Sequence, residues 1–203
     1  KENDFNILNA QYEKIQAVSD DTVLANYFDP YKPAEMLPKP DTIIYPFGLN
    51  QSQKLAVEHA LSSKISIIQG PPGTGKTQTI LNIIANIVLN EKTVAVVSNN
   101  NSATHNVVEK LEKKNAAFLT AFLGSVANRQ AFLDSQTGAY PNMKNWELQA
   151  EARRTLEDEV AALSKELNDM LNNKNRIAEI EQKLLRLAPE QHYFEEYYDT
   201  YGE

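Results

Sequence analysis

Gly70-Pro71-Pro72-Gly73-Thr74-Gly75-Lys76-Thr77 is the stretch of this chain best equipped for chemistry. Three of the seven glycines crowd into it, followed at once by a cation and a hydroxyl. Glycines let successive backbone N–H groups point into one concavity, and a following helix adds the positive end of its dipole. The spacing G-x-x-x-x-G-K-T therefore suits a phosphate chain. Lys76 is expected to supply a point charge to the β- and γ-phosphates of a nucleoside triphosphate, and the Thr77 hydroxyl to ligate Mg2+. Gln78 closes the stretch expected to touch the nucleotide. The competing, purely structural reading is a glycine-rich turn joining a strand to a helix.

Hydrolysis requires more: a carboxylate to hold the Mg2+ water shell and a group to orient the attacking water. In P-loop enzymes the carboxylate stands at the end of an apolar strand. Asp158-Glu159 falls inside a heptad stretch, Glu195-Glu196 follows an aromatic run, and Asp134 ends a short helical segment, so none of them fits. Nucleotide binding without turnover is the expectation for this chain alone. Its first residue is Lys1, not methionine, which suggests a fragment of a longer protein.

The elements around the loop follow from hydrophobic periodicity. Ile65 to Gln69 is a short apolar run expected to be a strand, leading into the loop. Ile80, Ile83, Ile84, Ile87 and Val88 recur at helical spacing, Thr93 to Val97 is a second expected strand, and a helix to about Lys114 follows the polar loop SNNNS. The order βαβα predicts an α/β fold with a parallel sheet and helices on both faces. Ala116 to Phe122 is a candidate third strand, and Asn128 to Asp134 a helical turn. Upstream, Asn50 is placed to cap a helix through about Leu61 that carries Leu55, Ala56 and Ala60 inward. Five of the nine prolines fall between Pro30 and Pro46, an extended connector. Two short helices are expected before it, one with Ile7, Leu8, Ile15 and Val18 on a face, the other capped by Asp20 ahead of Val23, Leu24 and Phe28.

From Trp146 to Leu187 there is neither glycine nor proline, and Leu156, Leu163, Met170, Ile177 and Leu184 recur every seven residues. This predicts a long coiled-coil-like helix. Val160 and Leu167 fill the companion seam; Lys174 and Glu181 then interrupt it and the apolar positions move to Ile180 and Leu187, a slip in register. A turn at Asn172 to Asn175 is the alternative. Self-association through Leu156, Leu163, Met170 and Ile177 is expected, against the alternative that the seam folds back on its own domain. The resulting division is a lead-in over 1–46, a nucleotide-binding domain over 47–145, a helical insertion over 146–188 and an aromatic, acidic end over 189–203.

The run LNQSQKLAVEHAL, then IIQGPPGTGKT, then VAVVSNNNSATHNVVEKL resembles the opening of the superfamily 1 DNA/RNA helicases, in the branch that contains the nonsense-mediated-decay helicase. The resemblance covers Phe47 to Leu111 and implies a partial RecA-like P-loop domain, with the heptad segment as a helical insertion. It also implies that Gln53, with Asn50 beside it, belongs to the adenine-reading Q motif, so that the nucleotide is ATP. A glutamine amide can donate to and accept from adenine at once. By the same resemblance Asn100 and Asn101 stand where the family touches the backbone of single-stranded DNA or RNA, although capping of the following helix explains them equally well. His105 replaces the aspartate usual there.

Composition excludes several other classes. Cysteine is absent and the three histidines are scattered, which removes disulfides, thiolate zinc sites and cysteine nucleophiles. No apolar run is long enough to span a membrane, and a cytoplasmic protein is expected. The net charge of −7 sits wholly in residues 147–203, with 14 acids and 7 bases, whereas residues 1–146 balance at 13 each, so overall acidity does not oppose nucleic-acid binding. Two other functions remain open: a P-loop ATPase of the AAA+ type, and a non-enzymatic coiled-coil protein with a regulatory nucleotide site.

Overall fold

Two units, Lys1–Lys114 and Asn115–Glu203, make up the chain. The computed structural model describes residues 9–15, 17–29, 31, 35–136, 138, 143–144 and 146–202. Ile7, Leu8, Pro30 and Pro33, named above, lie outside the described residues.

The first unit is built on helices whose starts are chemically marked. Helix α1 spans Val23–Phe28 and is capped by the Thr22 side chain, not by Asp20. Helix α2, Gln51–Leu61, starts with a reciprocal capping box: the Asn50 side chain accepts from the Gln53 N–H, and the Gln53 side chain accepts from the Asn50 N–H, both at 2.9 Å. Helix α3 spans Lys76–Leu89 and helix α4 spans Asn101–Glu112; α3 packs against both α2 and α4. The core between them is small: Ile43, Val57, Leu81, Val107 and Leu111 are its buried apolar residues.

The expected parallel sheet is not formed. Among the described residues there is no strand, and their β pairing is a single antiparallel bridge, Met36 to Ser63, flanked by the Leu37 N–H donating to Ser62 O at 2.8 Å. A strand exists only through its neighbours, and parallel strands need both faces covered. Ile65–Gln69 and Thr93–Val97 are five-residue runs that find no ladder partner, and Ile67 and Val97 remain 82% and 89% exposed. Ala116 to Phe122 is not a strand either; Ala117–Leu119 forms a turn of 3-10 helix. Buried faces differ from expectation in the same way. In α2 the inward residues are Gln53, Lys54 and Val57 while Leu55 is exposed, and in α3 they are Thr79, Leu81, Asn82 and Asn86 while Ile80 and Val88 are exposed.

On α2, Glu58 lies between two cations, 2.5 Å from Lys54 Nζ and 3.2 Å from Lys39 Nζ. Burial pushes the Glu58 carboxyl up, but the hydrogen bonds and charges of Lys54 and Lys39 outweigh it and hold the group below its ordinary value. Burial, helped by the Glu58 charge, drives the half-buried Tyr45 hydroxyl above the ordinary tyrosine range and keeps it neutral. A carboxyl lowered in the folded state stabilises fully above its unfolded value, about pH 4.3, and loses that contribution as pH falls through the folded value. Glu58→Gln is expected to cost about 1–2 kcal/mol at pH 7, since the buried Lys54 is left without its nearest counter-charge, and to flatten the acid limb of the stability curve. Urea melts at pH 7 and pH 3 check this; equal losses at both pH values refute it.

The second unit holds helix α5, Val126–Ser135, capped by Ser125, and helix α6, Ala150–Tyr201. The 52 residues of α6 extend roughly 78 Å at 1.5 Å per residue. It passes through Asn172 to Asn175 without a turn and contains Pro189, although an interior proline removes a hydrogen bond and costs about 3 kcal/mol. No residue of α6 is buried, and its seam leucines, isoleucine and methionine stand 45 to 63% exposed. No helix of the described residues is long and apolar enough to cross a membrane.

Candidate nucleotide-binding site

The loop opens directly into α3, with Gly75 as N-cap in the left-handed region at φ 82° and no side chain capping the helix. The first turn of a helix always leaves N–H groups without intrahelical acceptors, so the N-terminus of α3 offers donors next to the loop. Gly75 must be glycine twice over: its φ is strained for any L side chain, and a Cβ there would collide with the Gln53 amide. At Gly73, φ 85°, a Cβ would meet nothing within 4 Å, so the loop is open on that side.

Lys76 is exposed and its ammonium folds back over the loop, donating to Gly70 O at 2.5 Å and Pro71 O at 2.9 Å. The Thr74 hydroxyl donates to Pro71 O at 2.8 Å. Glycines, an uncapped helix start and a tethered ammonium together fit a phosphate chain: one supplies space, the next amide donors, the last charge. Thr77, in the first turn of α3 and part-buried, has the hard oxygen that Mg2+ prefers.

Gln53 is buried at 8% exposure and reaches the loop from α2. Its Nε2 donates to Thr74 O at 3.0 Å and to Gln78 Oε1 at 3.3 Å, while its Oε1 accepts the Asn50 N–H. Three of the four hydrogen-bonding positions of the amide are thus engaged within the protein. Hydrogen bonds bring Asn50, Gln53 and Gln78 together with the loop at Thr74, and Lys76 folds over Gly70 and Pro71. Asn100 and Asn101 are not tied to that cluster by any described hydrogen bond. Asn100 is the N-cap of α4, its Oδ1 accepting from the Ser102 N–H at 3.0 Å and hydroxyl at 2.7 Å, and Asn101 is the first, exposed residue of that helix.

Two buried polar residues escaped the periodicity. Asn82 and Asn86 are wholly buried on α3 and grip the chain ahead of α2. Asn82 accepts from the Phe47 N–H at 3.1 Å and donates to Gly48 O at 2.8 Å; Asn86 accepts from the Ile44 N–H at 2.9 Å and donates to Ile44 O at 2.7 Å. Gln78, one turn earlier, donates from Nε2 to Phe47 O. The signal lay in the spacing: asparagines four apart interrupting a run of isoleucines.

A glycine loop wrapped onto a helix start, with a lysine over it, has the residue types and geometry that suit a phosphate chain. The chain belongs to the AAA domain family, which it matches over residues 48–198. It is 34% identical over 137 residues to the Regulator of nonsense transcripts 1 homolog of Drosophila melanogaster, a match covering 64% of this chain and 11% of that protein. It is 33% identical over 139 residues to a putative ATP-dependent RNA helicase of Saccharomyces cerevisiae, covering 64% and 12%, and 35% identical over 157 residues to DNA-binding protein SMUBP-2 of Mesocricetus auratus, covering 73% and 15%. These relatives bear out the resemblance to the superfamily 1 DNA/RNA helicases, and the chain spans 11 to 15% of their length. No solved structure matches the chain.

Proposed function

We propose that this chain is the ATP-binding part of an ATP-dependent DNA or RNA helicase of the cytoplasm, whose nucleotide cycle drives movement along a single strand. The observation that carries the proposal is the junction of the two motifs: Gln53 Nε2 bonded to Thr74 O joins the helix capped by Asn50 to the phosphate loop. Lys76 meets the β- and γ-phosphates, Thr77 holds Mg2+, the backbone of residues Gly70 to Gly75 cradles the phosphates, and Gln53 exchanges its protein contacts for the adenine edge. Asn100 and Asn101 offer amide groups to a nucleic-acid backbone at the start of α4. Without a strand-borne carboxylate the chain binds ATP but turns it over no faster than background. Relatives named as helicases favour this function over a remodelling ATPase of the AAA+ type or a regulatory coiled coil.

Calorimetric titration with ATP·Mg2+ and GTP·Mg2+ tests it. ATP is expected to bind about tenfold tighter, the order of a hydrogen bond or two to the base. No binding of either nucleotide refutes the proposal, and steady turnover by the chain alone refutes the missing carboxylate.

The same proposal includes self-association of α6 through Leu156, Leu163, Met170 and Ile177, whose side chains are exposed. An antiparallel second copy keeps Lys174 and Glu181, which interrupt the seam, from each facing its own like.

A further inference from the structure

Gln78, Asn82 and Asn86 follow one another at four-residue intervals, so they share one face of α3, the helix that starts at the phosphate loop. Their amides all engage the backbone of residues 44–48: Gln78 donates to Phe47 O, Asn82 pairs with the Phe47 N–H and Gly48 O, and Asn86 pairs with both the N–H and the carbonyl of Ile44. Asn86 Nδ2 also donates to Asn82 O at 2.8 Å, which ties the ladder to the helix backbone. A carboxamide that accepts and donates side by side imitates the edge of a β-strand, and α3 uses two of them to hold a connecting segment that turns at Pro46 and Phe47. Two residues beyond Gly48 the chain reaches Asn50, which caps α2, and α2 presents Gln53 back to Thr74 O. The base corner is thus anchored to the phosphate-loop helix at both ends.

We infer that Asn82 and Asn86 are positioning residues for nucleotide recognition: they set where Asn50 and Gln53 stand relative to the phosphate loop, and so govern recognition of the base without contributing to recognition of the phosphates. The inference rests on the proposed binding of ATP. Both side chains are fully buried, and every hydrogen bond given above is to backbone, so truncating either leaves backbone donors and acceptors of residues 44–48 unpaired and the corner loose. The loop itself, held by Lys76, Thr74 and Gly75, makes no hydrogen bond to either asparagine side chain.

The test compares ATP·Mg2+ with inorganic tripolyphosphate, which has the phosphates and no base, on the wild-type chain and on Asn82→Ala and Asn86→Ala. Asn82→Ala is expected to weaken ATP about tenfold, and Asn86→Ala, one turn further from the loop, about threefold, with tripolyphosphate affinity unchanged. Equal weakening of both ligands, or unchanged ATP affinity, overturns the inference. Amide hydrogen exchange on the wild-type chain needs no variant: the Ile44 and Phe47 amides are expected to be protected, and exchange at the unprotected rate also overturns it. Failure of the nucleotide proposal is distinguishable, because it appears as a wild-type chain that binds no ATP while those two amides remain protected; the recognition role then falls with it.

Discussion

Lys76→Ala is expected to weaken ATP·Mg2+ binding about tenfold to a hundredfold while leaving the fold intact. Hydrogen bonds to charged groups contribute about 1.5–3 kcal/mol each, and the Lys76 ammonium is the cation placed over the loop, bonded to Gly70 O and Pro71 O. A phosphate chain entering the concavity offers that ammonium charged oxygens in place of two neutral carbonyls, so the exchange favours binding by charge as well as geometry. The cost to stability is small because the side chain is exposed and both carbonyls can turn to water. Lys76→Arg is expected to fall between, keeping the charge but not the compact ammonium. Thr77→Ala separates metal from phosphate: affinity for ATP without Mg2+ should be unchanged, while the gain on adding Mg2+ disappears. Calorimetry of the four proteins, with circular dichroism as the control for folding, decides the matter. Wild-type affinity in Lys76→Ala would leave the loop as a turn between two elements and nothing more.

The parts of this structure that were legible in the sequence are those fixed by neighbours along the chain. Asn50 and Gln53 stand three apart and close a capping box, Asn100 caps α4, Gly75 ends the loop in the left-handed region, and α2, α3 and α4 begin and end within a few residues of expectation. What stayed hidden depends on distant partners. Ile65–Gln69 and Thr93–Val97 have strand composition, but composition cannot provide a ladder, and the isoleucines of α3 marked an apolar face without saying what would cover it. Asn82 and Asn86 went unread for the opposite reason: despite their spacing, a polar side chain within a helix is taken for a solvent-facing one until a backbone segment 34 to 42 residues earlier is found to pair with it. Pro189 illustrates a third limit. A proline usually ends a helix, yet α6 carries it more than three turns from its C-terminus.

Concentrated solutions of the chain are expected to contain antiparallel dimers held by α6, and Leu163→Asp with Met170→Asp is expected to return them to monomers. Side chains of the size of Leu or Met contribute about 1.5–3 kcal/mol each when removed from water. Leu156, Leu163, Met170 and Ile177 repeat on one face, so each copy offers several such contributions, enough to offset the cost of association. The interruption by Lys174 and Glu181 limits how far a parallel copy can stay in register, because a parallel partner would set each of these charges beside its own like. Reversing the partner avoids this and sets the acidic Glu166 and Asp169 near the basic Lys183 and Arg186. High salt should therefore weaken the dimer without abolishing it, since screening acts on exposed ion pairs and leaves the apolar seam. Sedimentation velocity over a concentration series reads the association, and a single cysteine introduced by Arg154→Cys, paired by oxidation with one introduced by Tyr198→Cys and not with itself, reads the orientation. A wild-type chain that sediments as a monomer at every concentration would refute the dimer, and crosslinking of position 154 to its own copy would make it parallel.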